Sequence, residues 1–192
     1  EVQQIVDDFA EVTRRAIEAG FDGVEIHGAN GYLIQQFFSP FSNRRDDEWG
    51  ERLRFPLAIV DAVRKTVDKH GSKEFIVGYR FSPEEQETPG LTMKETFELV
   101  DALVEKPLDY LHVSLMDFHS TARRGADPSA KRIDLIKNRI NDKLPLIGVG
   151  SLYSAEDVAA AIAMGVPLIG IGRELLIDPD FVTKIKEGRE NE

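Results

Sequence analysis

The sequence predicts an α/β fold built on a parallel sheet, and three observations predict it. Strand-like and helical patterns alternate from end to end, which gives either an open doubly wound sheet or a barrel. Most of the strand runs are nearly continuous apolar stretches, the mark of a parallel sheet covered on both faces. Two of them, PLIGVG (145–150) and PLIGIG (167–172), echo each other, each ending in glycine before a helical pattern.

The elements follow in order. Over residues 2–19, Val2, Ile5, Val6, Phe9, Val12, Ala16 and Ile17 share one helical stripe, and Gly20 ends it. Residues 23–27 form a short strand. The polar run SPFSNRRDDEWG leads to a second helix near 52–69; NRRDDEWG reads as a solvated loop ending in a helix cap, with the rim of an active site as the alternative. FIVGYRF (75–81) is the next strand. Residues 91–105 form a helix opened by Thr92 and Glu95. A third strand over 110–116 precedes a helix over 129–140. Strand 145–150, helix 154–165, strand 167–172 and helix 179–188 complete five strands, each followed by a helix.

Composition fits one soluble globular domain: 192 residues, 42% hydrophobic and 30% charged. The net charge of −10 argues against nucleic acid or an anionic membrane as partner. With no cysteine there is no disulfide, thiolate nucleophile or iron–sulfur cluster in this stretch. The cytoplasm is the default location for such a chain, and no apolar run approaches the roughly 20 residues of a membrane helix. The chain opens on Glu1 within a helical pattern and is expected to be a piece whose N-terminal part is missing.

Candidate site residues cluster at strand ends. Gly150 and Gly172 close the echoed strands, with Ser151 after the first and Arg173 after the second. Backbone amides after such strands bind phosphate, and arginine adds a bidentate contact; the alternative is that these glycines only permit tight turns. Arg80 stands near the end of an apolar strand and must be paired or face a ligand, Glu25 being the interior partner on offer. In EIHGANGY, His27 and Asn30 could aim donors at one oxygen, and Tyr32 could serve as an acid. The same residues also read as a turn, a strand cap and a packed ring. No carboxylate or second histidine stands at metal-ligand spacing beside His27. His112 reads as a hydrogen-bonded core histidine. His119, Arg123 and Arg124 lie on the long loop after the third strand, where a barrel would place ligand contacts.

IHGANGYLIQQFFSPFSNRRDDEWG closely resembles the signature of the old yellow enzyme family of FMN-dependent NAD(P)H oxidoreductases. VGYRFSP, HVSLMDFHSTARRG, GVGSL and GIGRELL match in order, so the resemblance spans the chain. It implies a (β/α)8 TIM barrel with FMN at the carboxyl ends of the strands, of which this chain would be a single-domain, partial barrel holding the fourth to eighth strands. His27 and Asn30 would bind a substrate carbonyl, Tyr32 would protonate the alkene carbon, and Arg80 would meet the flavin pyrimidine edge. Gly150, Ser151, Gly172 and Arg173 would hold the phosphate. NAD(P)H would be the reductant and an enone-type small molecule the substrate; a homo-oligomer is compatible with all of this. Lacking three strands, the isolated piece is expected to bind FMN weakly or not at all. DEWGERLRF looks a few residues shorter than the family pattern. The alternatives are a flavin-free, phosphate-binding aldolase or isomerase and a catalytically inert piece.

Overall fold

The computed structural model describes residues 1–189. Its elements run α1 (Val2–Glu18), β1 (Gly23–Gly28), α2 (Leu33–Phe38), a 3-10 turn (Glu48–Gly50), α3 (Arg54–His70), β2 (Ile76–Phe81), α4 (Met93–Leu103), β3 (Tyr110–Ser114), α5 (Arg132–Ile140), β4 (Leu146–Val149), α6 (Ala155–Ala163), β5 (Leu168–Gly170), α7 (Arg173–Ile177) and α8 (Phe181–Glu187). All strand pairs are parallel, and the sheet order is β1-β2-β3-β4-β5. A doubly wound sheet reverses its order at a switch point; a sheet that advances in one direction is the wall of a barrel.

The sheet has two unlike faces. Ile26, Val77, Tyr79, Phe81, Leu111, Val113 and Leu146 are buried in one cluster with helix residues such as Ile59, Val63, Leu99, Leu103, Ile133 and Ile136. The opposite face carries Glu25, His27, Arg80, Tyr110, His112 and Ser114, none of them fully buried. The expectation of cover on both faces is therefore corrected: helices cover one face, and the other presents polar side chains. The apolar runs concealed this because Tyr79, Leu111 and Val113 interleave with those polar positions, as strand alternation requires.

Most expected elements stand within three residues of their predicted bounds. Thr92 and Glu95 form the anticipated capping box, with Thr92 N–H donating to Glu95 at 2.9 Å. The helix expected from 129 starts at Arg132, because Asp127 and Ser129 close a turn ahead of it. Two helices were not anticipated, α2 and α7, of 6 and 5 residues, too short to set a helical period. In NRRDDEWG, Asp47 caps the 3-10 turn through Trp49 N–H, and Trp49 packs edge-on to Phe55. Among the described residues no helix is long and apolar enough to cross a membrane.

Candidate active site at the carboxyl ends of the strands

The polar face is organised in rows set by strand register. Glu25, Gly78 and Tyr110 lie across one row, and His27, Arg80 and His112 across the next. A Cβ at Gly78 would fall 2.0 Å from the Tyr110 ring, so glycine is what lets that ring lie over β2. The Tyr110 hydroxyl thereby reaches Glu25 on β1, donating at 3.0 Å, while His112 Nδ1 donates to the same carboxylate oxygen at 2.9 Å. Burial of Glu25 works to raise its pKa, but the hydrogen bonds from His112 and Tyr110 and the charges of His112 and Arg80 outweigh it, and the carboxyl stays below its ordinary value. Burial and then the Glu25 charge push Tyr110 up. His27 is pushed down, first by burial and second by the Arg80 cation, so its neutral form is favoured. The partner foreseen for Arg80 is thus corrected: Glu25 bonds Tyr110 and His112, and Arg80 Nη2 donates instead to Ser114 Oγ at 3.0 Å. Arg80 Nε remains buried without an acceptor among the described residues.

After β1 the chain turns sharply. Asn30 and Gly31 have φ of 59° and 74°, and Tyr32 N–H closes the turn on Ala29 O at 3.2 Å. Gln35 Oε1 accepts from Gly31 N–H at 3.0 Å, and Gln35 Nε2 donates to Glu85 at 2.8 Å, fixing the turn to the loop after β2. Asn30 Oδ1 accepts from Ser114 Oγ at 3.0 Å and from Ser82 Oγ at 3.3 Å. The His27 and Tyr32 rings are 5.2 Å apart, and Tyr32 is 62% exposed.

The tips of β4 and β5 are built differently. Gly150 has φ of 148°, a conformation that side chains rarely adopt, and a Cβ there would stand 2.6 Å from Phe118 N. Ser151 follows with φ of 51°. Its hydroxyl donates to Met116 O at 2.6 Å and accepts from Arg173 Nη2 at 2.9 Å, tying the three loops that follow β3, β4 and β5. The Arg173 guanidinium lies 5.3 Å from the Tyr153 ring centroid. Apart from its chain neighbours, no described atom lies within 4 Å of where a Gly172 Cβ would stand.

A cleft of about 580 Å³ runs along these tips, of a size that holds a cofactor. It brings together Asn30, Arg80, Gly150, Ser151, Gly172 and Arg173. His27 and Tyr32 do not line it; they stand as a pair at the end of the edge strand β1, His27 on the strand and Tyr32 in the turn after it that also holds Asn30. Arg124 turns inward to the carbonyls of Glu85 and Glu87, so it staples loops instead of facing a ligand. Arg123 borders a smaller side cavity shared with Asn30 and Ser114, and His119 lies 3.3 Å from Lys131 Nζ. Ser82 and Ser114 were missed by sequence reasoning. Ser114 was findable, because strand alternation from His112 places it on the same face.

These donors suit FMN: an unpartnered guanidinium N–H at one end of the cleft for an electron-rich ring edge, and an arginine, a serine and open backbone at the other for a phosphate. Comparison with known proteins agrees. The chain is 62% identical over 196 residues to the probable NADH-dependent flavin oxidoreductase YqiG of Bacillus subtilis (strain 168), covering all of this chain and 53% of that protein. It is 36% identical over 191 residues to an NADPH dehydrogenase of Clostridium acetobutylicum, covering 95% of this chain and 54% of that one. Morphinone reductase in complex with tetrahydroNAD superposes with a TM-score of 0.75 at 27% identity, over 98% of this chain and 50% of that chain. The chain spans about half the length of these relatives. The family model for NADH:flavin oxidoreductases and NADH oxidases matches residues 1–192, so the resemblance read in the motifs holds, and the chain belongs to the NADH:flavin oxidoreductase / NADH oxidase family.

Proposed function

We propose that this chain forms, as a single domain, the C-terminal part of an FMN-binding barrel in an NAD(P)H oxidoreductase that reduces activated alkenes such as α,β-unsaturated carbonyls. The observation that carries the proposal is the one cleft bordered by Arg80 and Asn30 at one end and by Ser151 and Arg173 at the other. FMN, when bound, would take a hydride from NAD(P)H and deliver one to the alkene. The chain's own residues take the following parts. Arg173 and Ser151, with backbone of Gly150 and Gly172, hold the phosphate. Arg80 sets its positive charge against the ring edge, where burial of its Nε raises the gain from an anionic partner. Asn30 and a neutral His27 donate to the substrate carbonyl oxygen, drawing electron density from the alkene. Tyr32, exposed next to His27, gives its hydroxyl proton to the alkene carbon. A Schiff-base aldolase is disfavoured because no lysine among the described residues borders the cleft.

The test separates the two half-reactions under anaerobic conditions. NADH and NADPH should each be tried as the reductant and 2-cyclohexen-1-one as the oxidant, with the FMN-loaded protein expressed from its complete gene, in the wild type and in Tyr32→Phe. Loss of the proton donor should slow enone reduction by about 10²- to 10⁴-fold and leave flavin reduction unchanged. Equal enone rates in the two proteins would remove Tyr32 from its role.

A further inference from the structure

Asn30 can present either its oxygen or its amino group to a ligand, and only the amino group can donate to a carbonyl. What surrounds it decides which. Arg80 has only donors, so its Nη2 contact at 3.0 Å uses an acceptor lone pair of Ser114 Oγ and leaves the hydroxyl proton to be given elsewhere. That proton goes to Asn30 Oδ1 at 3.0 Å. Ser82 is committed in the same direction: its oxygen accepts from Asn30 N–H at 2.9 Å, and its own proton points to Asn30 Oδ1 at 3.3 Å. Two hydroxyl donors therefore converge on one amide oxygen. A flipped amide would face its N–H2 toward both serines, and Ser114, already accepting from Arg80, would lose the acceptor for its own proton. No described residue accepts from Asn30 Nδ2, and Asn30 borders the cleft.

We infer that Ser114 is a positioning residue that fixes the amide orientation of Asn30: the directed chain Arg80 Nη2 to Ser114 Oγ to Asn30 Oδ1 presents the Asn30 amino group to a ligand carbonyl. Because successive hydrogen bonds polarise one another, the guanidinium charge at the start of the chain also strengthens the donor at its end. Ser114 thereby couples the group set against the ring to the group set against the substrate. The inference rests on the functional proposal and names a residue which that proposal leaves without a role.

The test is a binding cycle on the FMN-loaded protein expressed from its complete gene. Cyclohexanone, a carbonyl ligand with no alkene to reduce, is titrated and followed through the flavin absorbance in the wild type, Ser114→Ala, Asn30→Ala and the double variant. Each single variant should weaken binding several-fold to about 10-fold, as for a lost or misdirected hydrogen bond, and the double variant should bind within about twofold of Asn30→Ala. Ser114→Thr keeps the hydroxyl and should bind within about twofold of the wild type. Losses that multiply in the double variant overturn the inference, as does a threonine variant no better than alanine. A wild type that binds no cyclohexanone overturns it too. If the cycle comes out coupled but 2-cyclohexen-1-one is not reduced, the functional proposal fails and the Ser114 assignment stands.

Discussion

Glu84 offers the sharpest test of how the rim of the cleft is held. Its side chain is 2% exposed and faces Arg132, whose side chain is 11% exposed, with the Nε hydrogen at one carboxylate oxygen. The backbone N–H groups of Arg123 and Arg124 also donate to Glu84, at 3.0 and 2.8 Å, so one carboxylate ties the loop after β2 to the loop after β3. Replacement of Glu84 by alanine removes all of these acceptors. Arg132 is then left with Ser120 Oγ as its side-chain hydrogen-bond partner, a largely buried cation without a counter-charge among the described residues. Stripping one partner from a buried pair costs about 3–5 kcal/mol, whereas removing both costs much less. Urea unfolding should therefore show Glu84→Ala losing more than about 1 M in midpoint. The double variant Glu84→Ala/Arg132→Met should regain part of that loss. A single variant within about 1 kcal/mol of the wild type, or a double variant worse than the single, would refute the reasoning about desolvation.

Two further predictions concern the site itself. His27 is held below its ordinary value of 6.5 by burial and then by Arg80. The unfolded chain then takes up the proton before the folded one, so stability is lost as pH falls from 6.5 towards the lower folded value. His27→Asn should flatten that part of the stability–pH curve while leaving the curve above about pH 7 parallel to the wild type; an unchanged slope between about pH 5.5 and 6.5 would contradict it. Gly150→Ala meets both a φ of 148° and the backbone at Phe118 N. It should cost more than about 1 kcal/mol in unfolding free energy and weaken FMN binding, as read by calorimetry. A variant as stable as the wild type would show that the loop has another conformation open to it.

Much of this was legible in the residues. The alternating pattern yielded five strands and their following helices, because apolar runs and amphipathic stripes have different periods. The strand-end positions of His27, Arg80, Ser151 and Arg173 followed from counting along those runs. Side-chain pairing was not legible. Glu25 could be seen as interior, but that Tyr110 would cross over Gly78 to reach it depends on strand register, which a single sequence does not fix. The short helices α2 and α7 were hidden because their stability comes from packing and from the loops around them, not from a period of their own. Ser82 and Ser114 escaped notice because a serine near a strand end is commonplace, and its role emerges only when Asn30 turns back onto it.

The central claim is that strand tips β4 and β5 hold a phosphate while β2 faces a flavin ring. It is tested most directly by titrating the apo form of the protein from its complete gene with FMN and with riboflavin, which lacks the phosphate. FMN should bind one per chain and at least about 100-fold more tightly than riboflavin, and the gap should shrink to about 10-fold or less in Arg173→Ala, since a hydrogen bond to a charged group is worth about 1.5–3 kcal/mol. Equal affinities for the two flavins, or a gap that survives the loss of Arg173, would contradict it.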